Sequence, residues 1–419
     1  MLNSKGLREL AYVVRIDEIK PIEGSDNCEA AYVGGWHIMV RKDTFKAGDY
    51  AVYFEIDSHV DISKPEFAFL ERKHGNIKTQ KYTFGGKGNF ISQGLLMSFE
   101  DFIHDGGIPS WLAAFNIMIA AGGTLETYGD AKFLTETLGV TYASAADNIR
   151  KAKPIDKYKS MGARHPKLFK TRPVRWLMRH NWGRKLLFIF FGRKKKTNDW
   201  PRWVKKTDEE RIQNCPWVLN DSDKFWIATE KIDGSSTTFT YRKDNFKKPI
   251  FLVCSRNVAF TKPDKKCYYD TNIYIEMAEK YHMEEVLADM FACRKRADPG
   301  LIFVTIQAET YGAGVQRRTY GREDHDMAIF NIIYGDKNGK TIRLNPEDGK
   351  KIADFWDLPY VPVLGEMTLP NDCDEVLALA GSEASKLDGD MREGIVFRSL
   401  DGVESFKAVD NNYLLKYHG

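Results

Sequence analysis

The chain has 419 residues, 43% of them hydrophobic, with a net charge of +4, which suits two or three domains with ordinary cores. No apolar run approaches the ~20 residues of a membrane span, and the N-terminus "MLNSKGLREL" lacks a signal peptide's apolar stretch. The six cysteines are scattered without a C-x-x-C pair, so neither a disulfide framework nor a zinc site is indicated, and an intracellular location (cytoplasmic or nuclear) is expected.

Residues 7–60 read as all-β. "AAYVGGWHIMVRK" and "YAVYFEIDSHV" are rich in β-branched and aromatic residues and are separated by the turn-like "DTFKAGD". Further short strands broken by glycines follow in "IKTQKYTFGGKGNFISQGLLM" (77–97). Several short strands within about 100 residues suggest a small barrel, of which the OB barrel is a common one with nucleic-acid work. The next stretch is mixed, with helix expected in "WLAAFNIMIAA".

A basic segment comes next. From Arg150 to Lys206 there are 20 Lys or Arg against Asp156 and Asp199, a charge of about +18 that leaves about −14 for the rest. Trp176, Trp182, Trp200 and Trp203 lie in it. Basic residues interleaved with large aromatics suit a phosphate backbone and stacking bases; a solvated basic insertion is the plainer alternative. Beyond about 205 the pattern is mixed α and β. Strands are predicted in "KFWIATEKI", "STTFTYR", "PIFLVCSRNV", "GLIFVTIQAETYG", "MAIFNIIYG", "EGIVFRS" and "VESFKAV". Helix is predicted over 271–294 and in "NDCDEVLALAGSEASKL". The expected domains are 1–100 (OB-type), 101–204 (a linker with the basic insertion) and 205–419 (a mixed α and β domain). The fold class is α+β, with antiparallel sheets and flanking helices after the barrel.

Charges sit oddly among the apolar runs of the last domain: Lys231, Arg256, Glu309, Glu393 and Lys407. Each alone reads as a surface ion pair. Together they suit a nucleoside triphosphate and its metal ion. A desolvated lysine can be a nucleophile. Carboxylates hold hydrated Mg²⁺, and further cations neutralise charge developing at phosphorus.

The order of these residues resembles the lysine nucleotidyltransferases, the polynucleotide ligases and RNA-capping enzymes. The matching stretches are "EKIDGSS" (230–236), "SRN" (255–257), "AETYG" (308–312), "FNI" (330–332), "EGIVFR" (393–398) and "SFKAVDNNYLLK" (405–416). A narrower resemblance is to the family-5 RNA ligases, which place an OB domain first. It rests on residues 19–58 and 77–95, on "KTDEERIQN" (206–214) and on "GAGVQ" (312–316). No counterpart is seen for about 150–198. Capping enzymes and most DNA ligases carry their barrel after the last motif. Here the chain ends at Gly419, and the barrel candidate lies in front, which disfavours both.

The resemblance implies that Lys231 attacks the α-phosphorus of ATP, with Asp233, Glu309 and Glu393 around Mg²⁺ or Mn²⁺. It implies that Arg256 contacts phosphate or ribose, that Glu309 bonds the ribose, that Phe330 stacks on adenine and that Lys407 touches the α-phosphate. Thr229 and Glu230 would read the adenine edge, and Arg211 and Gln213 would hold the triphosphate tail. Phe330 as simple core, and Arg211 and Gln213 as surface polar residues, stay open. Many relatives carry a second lysine in the last motif, whereas Ser405 and Val409 flank Lys407 here. The implied activity is ATP-dependent RNA ligation of a 3′-OH to a 5′-phosphate. The protein is expected to act as a monomer on nicked or broken RNA or an RNA/DNA hybrid, with no membrane partner. The alternatives are another lysine nucleotidyltransferase, capping RNA with GTP or joining DNA, and a non-catalytic nucleic-acid-binding protein.

Overall fold

The structure is a computed structural model. It describes residues 1–85, 89–142, 171–180, 182–183, 186–187, 200–206, 209–244, 247–260, 269 and 271–418. The chain divides into two units, Met1–Tyr142 with Trp200–Gly419, and Ala143–Asp199.

The first hundred residues form short antiparallel sheets. Ala11–Arg15 pairs with Tyr50–Phe54, which pairs in turn with Leu95–Met97. Glu18–Pro21, Cys28–Val33 and Trp36–Arg41 make a meander. The stretch "AAYVGGWHIMVRK", read as one β-rich run, is two strands joined by a two-residue hairpin. Gly34 and Gly35 both have positive φ (50° and 80°), as the turn that matches strand twist requires. The strand Tyr50–Phe54 is buried on both faces. One face joins Val13, Phe67 and Met97, and the other joins Tyr12, Trp36 and Ile38. Part of the stretch assigned to a linker belongs to this packing. The helix Ser110–Ala120 buries Leu112 and Phe115, and Leu134, Leu138 and Val140 fill the same core.

The last two hundred residues build two antiparallel-dominated sheets. One runs Glu210–Arg211, Ser405–Val409, Gly394–Ser399, Trp226–Lys231, Val363–Met367; its first pair is parallel. The other runs Ala259–Phe260, Ile250–Ser255, Ser235–Arg242, Leu301–Gly312, His325–Asp336, Thr341–Arg343. Every strand expected from the apolar runs is present. The helical stretch 271–294 is two helices, Ile273–Lys280 and Met283–Ala297. His282 breaks it with a left-handed backbone (φ 48°), which no Gly or Pro in the sequence announces. Both helices pack on the larger sheet through Met277, Met283 and Leu287. The helix Cys373–Gly381 covers the smaller one with Val376 and Ala380. Among the described residues no helix is long and apolar enough to cross a membrane, and the described cysteines are unbridged.

Trp200 and Trp203 belong with the unit of these two sheets and not with the basic segment. Trp200 donates to the Val204 carbonyl at 2.7 Å and Trp203 to the Thr240 hydroxyl at 3.2 Å, and Arg242 lies over the Trp203 ring. Most of the basic segment, 150–170 and 188–199 included, lies outside the described residues. Within its unit a helix spans Arg172–Arg179, and Trp176 and Trp182 are both more than half exposed. Their rings meet edge to face at 5.9 Å, and His180 stacks on Trp182.

Candidate active site

The strand Trp226–Lys231 ends in the smaller sheet, and the strand Ser235–Arg242 begins in the larger one. Ile232, Asp233 and Gly234 make the crossing between them. Gly234 is required here by space, not by an unusual φ. A Cβ on it would stand 2.3 Å from the Thr310 carbonyl oxygen and 3.0 Å from Glu309 Cγ. The crossing can therefore press against the strand that carries Glu309, and the lysine is held at the junction of both sheets.

Register brings the other candidates to the same junction. Lys231 lies opposite Gly394, next to Glu393. Ser236 lies opposite Glu309. Thr229 pairs with Val396, Val396 with Lys407, and Lys407 with Arg211. A cleft of about 370 Å³ opens there, within the usual size of ligand pockets. Thr229, Glu230, Lys231, Ser235, Ser236, Arg256, Glu309, Phe330 and Lys407 line it.

Asp233 and Glu393 are buried beside this wall, at 6% and 7% exposure, and do not form its surface. Lys231 Nζ donates to Glu393 Oε2 at 2.7 Å. Burial pulls the Lys231 ammonium toward a lower pKa. The carboxylates of Glu393, Glu309 and Asp233 outweigh it, so the net shift is upward. Glu309 is pushed up to about 8. Burial is the main cause, Glu393 and Asp233 add to it, and Lys231 and Arg256 oppose it. The site is thus one in which carboxylates crowd about the Lys231 ammonium.

Among the described residues no three His, Cys, Asp or Glu side chains converge into a ready metal cage. A hard divalent ion keeps several waters and takes phosphate oxygens as further ligands. The all-oxygen donors Asp233, Glu309 and Glu393 fit such an ion.

The remaining expected residues divide. Glu230 lines the cleft, but its carboxylate is engaged by the Ser385 hydroxyl at 2.5 Å and the Lys386 amide at 2.8 Å. Arg211 does not line the cleft. Its Nη1 is buried without a hydrogen-bond partner, and its guanidinium lies 5.9 Å from the Trp36 ring. Burial lowers its pKa, while Glu393 and Asp57 counteract that. A buried guanidinium nitrogen with no hydrogen-bond partner among the described residues keeps a donor unspent. Gln213 points the other way and donates to the Gly35 carbonyl of the barrel at 3.3 Å. It is neither a surface residue nor part of the cleft. Phe330 combines both readings offered for it: it packs against Ile232, Tyr320 and Val361 and also shows a face to the cleft.

Sequence reading missed several residues here. Arg398, 2% exposed, lines the cleft and donates to the Phe330 carbonyl at 3.2 Å and to Glu209 at 3.3 Å. Its place after the apolar "GIVF" was a usable signal. Gln316 donates to the Gly234 carbonyl at 3.0 Å. Tyr413 donates to Asp233 Oδ2 at 2.9 Å, and Asp233's amide donates to the Tyr320 hydroxyl at 2.7 Å.

A barrel followed by two sheets that meet at a lysine is the architecture of a lysine nucleotidyltransferase with its barrel in front. Residues 224–418 match the RNA ligase family model, and residues 10–98 match an OB-fold domain model. The chain carries an OB-fold domain followed by an RNA ligase domain. No curated protein matches it. It is similar to solved structures of the Naegleria gruberi RNA ligase. A mutant with ATP and Mn is 24% identical with TM-score 0.61, and the match covers 98% of this chain and 100% of that one. An apo mutant is 25% identical with TM-score 0.62, covering 98% and 99%. The same ligase with PPi is 24% identical with TM-score 0.59, covering 98% and 99%.

Proposed function

We propose that the protein is an ATP-dependent RNA ligase that seals a 3′-OH RNA end to a 5′-phosphate through lysyl-AMP and RNA-adenylate. The observation that carries this reading is Lys231, 2.7 Å from Glu393 and facing a cleft with Glu309, Arg256, Lys407 and Phe330. ATP with Mg²⁺ or Mn²⁺ fits that donor set, and the Naegleria ligase structures similar to this chain include one with ATP and Mn and one with AMP and Mn.

The Lys231 amine, once it has lost its proton, attacks the α-phosphorus. The N–P bond forms as the bond to the bridging oxygen breaks and pyrophosphate leaves. Lys407 and the unsatisfied Nη1 of Arg211 supply positive charge to the phosphates, and Phe330 offers a face for the adenine. A divalent ion held by Asp233, Glu309 and Glu393 would screen those carboxylates from the ammonium and neutralise phosphate oxygen charge. In the next steps an RNA 5′-phosphate oxygen takes AMP from Lys231, and a 3′-OH then attacks that phosphate and releases AMP. The substrate is a nicked or broken RNA, with an RNA/DNA hybrid also accepted, and the protein works as a monomer.

Incubation with α-labelled ATP or GTP tests the reading. Label is expected on Lys231 with ATP and not with GTP. It is lost in Lys231→Ala and equally in Lys231→Arg, because a guanidinium stays protonated and cannot attack. Label from GTP would turn the assignment toward capping chemistry, and label from neither toward a binding protein.

A further inference from the structure

The C-terminal segment Asp410–His418 touches both the barrel and the nucleophile's aspartate. Asp410 caps it, accepting from the amides of Asn412 at 3.0 Å and Tyr413 at 3.3 Å. Tyr413 follows, fully buried, with its hydroxyl on Asp233 Oδ2. Behind the ring lies the Arg318 guanidinium, 5.7 Å from the Tyr413 centroid and 4.4 Å from that of Tyr320. Asp388 at 2.6 Å and the Met391 carbonyl anchor Arg318. Phenylalanine would fill the same space against these groups, so the hydroxyl's work is on the carboxylate. A hydrogen bond to one oxygen of a buried carboxylate fixes where the other points.

The opposite side of the segment rests on the barrel. Gln93 Nε2 donates to Asn411 Oδ1 at 3.1 Å, and Asn411 Nδ2 meets His37 Nδ1 at 3.2 Å. Lys81 Nζ donates to the Leu415 carbonyl at 2.6 Å. Leu414 closes a small apolar cluster with Ile91 and Val409. The cleft itself is lined by no barrel residue among those described. The segment is therefore a contact through which the barrel reaches the site.

We propose that Tyr413 is a positioning residue for Asp233, and that the Asp410–His418 strap makes that positioning depend on the docked barrel. The inference rests on the adenylylation reading above. It extends it by giving the barrel a part in preparing the site for the divalent ion, carried by side chains far apart in sequence.

The test uses the full chain as wild type, Tyr413→Phe, Asn411→Ala and the double variant. Free Mn²⁺ is titrated in the presence of AMP and followed by its EPR signal, and lysyl-AMP formation is measured against Mn²⁺ concentration. Amide hydrogen exchange over 411–418 reports the strap. Tyr413→Phe is expected to weaken Mn²⁺ binding by roughly tenfold, the scale of one lost hydrogen bond to a charged group. The half-saturating Mn²⁺ for adenylylation should rise with it, and the rate at saturating Mn²⁺ should stay within a few-fold. Asn411→Ala, which touches no catalytic group, should speed exchange over the strap and weaken Mn²⁺ in the same direction. The double variant should be little worse than Tyr413→Phe alone, because both act along one route. Unchanged Mn²⁺ affinity in Tyr413→Phe overturns the proposal. So does an Asn411→Ala protein with a loosened strap and wild-type Mn²⁺ affinity. Absence of label on Lys231 in the wild type would instead remove the adenylylation reading, since the Mn²⁺ titration does not depend on it.

Discussion

Replacing Glu393 with glutamine separates its two expected effects. The carboxylate accepts from the Lys231 ammonium at 2.7 Å and is 8% exposed at its side chain, so solvent screens the pair little. Glutamine keeps the size and removes the charge. A hydrogen bond to a charged partner is worth about 1.5–3 kcal/mol, and about 1.4 kcal/mol moves a pKa by one unit. Because Glu393 favours the charged lysine, the Lys231 pKa should fall in Glu393→Gln. Acetylation of Lys231 in the nucleotide-free protein, followed across pH by mass spectrometry, reads this directly. The midpoint should move to lower pH. Lysyl-AMP formation should nevertheless drop by roughly two orders of magnitude or more, because an oxygen donor for the divalent ion and its charge is lost. A more reactive amine in a less active enzyme is the expected pair of results. An unmoved acetylation midpoint would refute the claim that Glu393 holds the nucleophile protonated.

Glu309 offers a stability test. Its carboxyl is pushed up to about 8 in the folded protein, chiefly by burial, so the folded state binds a proton that the unfolded chain releases near pH 4.5. The stability this contributes is present at low pH and lost as pH rises toward 8. Glu309→Gln, which mimics the neutral carboxyl, should therefore melt increasingly above wild type between pH 5 and pH 8 when no metal is added; a difference that shrinks over that range would contradict the shift. The basic segment should act on RNA and not on ATP. Residues 150–198 hold 17 Lys and Arg against Asp156, and Trp176 and Trp182 stand exposed. Exchanging the segment for a Gly-Ser linker should leave lysyl-AMP formation nearly intact. RNA affinity should fall, and the slope of log K against log salt should flatten by nearly one per lost phosphate contact. An unaltered slope in a protein that still adenylylates would end that idea.

What the sequence determined by itself is what local pattern can carry. The apolar runs that became Trp226–Lys231, Ser235–Arg242, Leu301–Gly312 and Gly394–Ser399 are legible because a buried strand is a continuous apolar stretch between turn residues. A charge that ends such a run stands out, so Lys231, Glu309, Glu393 and Lys407 could be picked and set in order. Their convergence could not be read, because it depends on register across strands up to 176 residues apart (231 to 407). Direction was also hidden. Gln213 and Lys231 were given to one ligand, yet Gln213 sits in the short 3-10 turn Ile212–Asn214 and turns to Gly35, since a side chain's neighbour is set by what packs beside it and not by its own segment. Trp203 read as part of a basic, base-stacking run and instead donates to Thr240. The break at His282 left no mark, for no Gly or Pro stands there and its left-handed backbone joins two helices that pack into one core. Tyr413, a tyrosine in a polar C-terminal stretch, becomes a hydrogen-bond donor to Asp233 only through tertiary structure, where the strap that rests on the barrel brings its hydroxyl to a carboxylate 180 residues away.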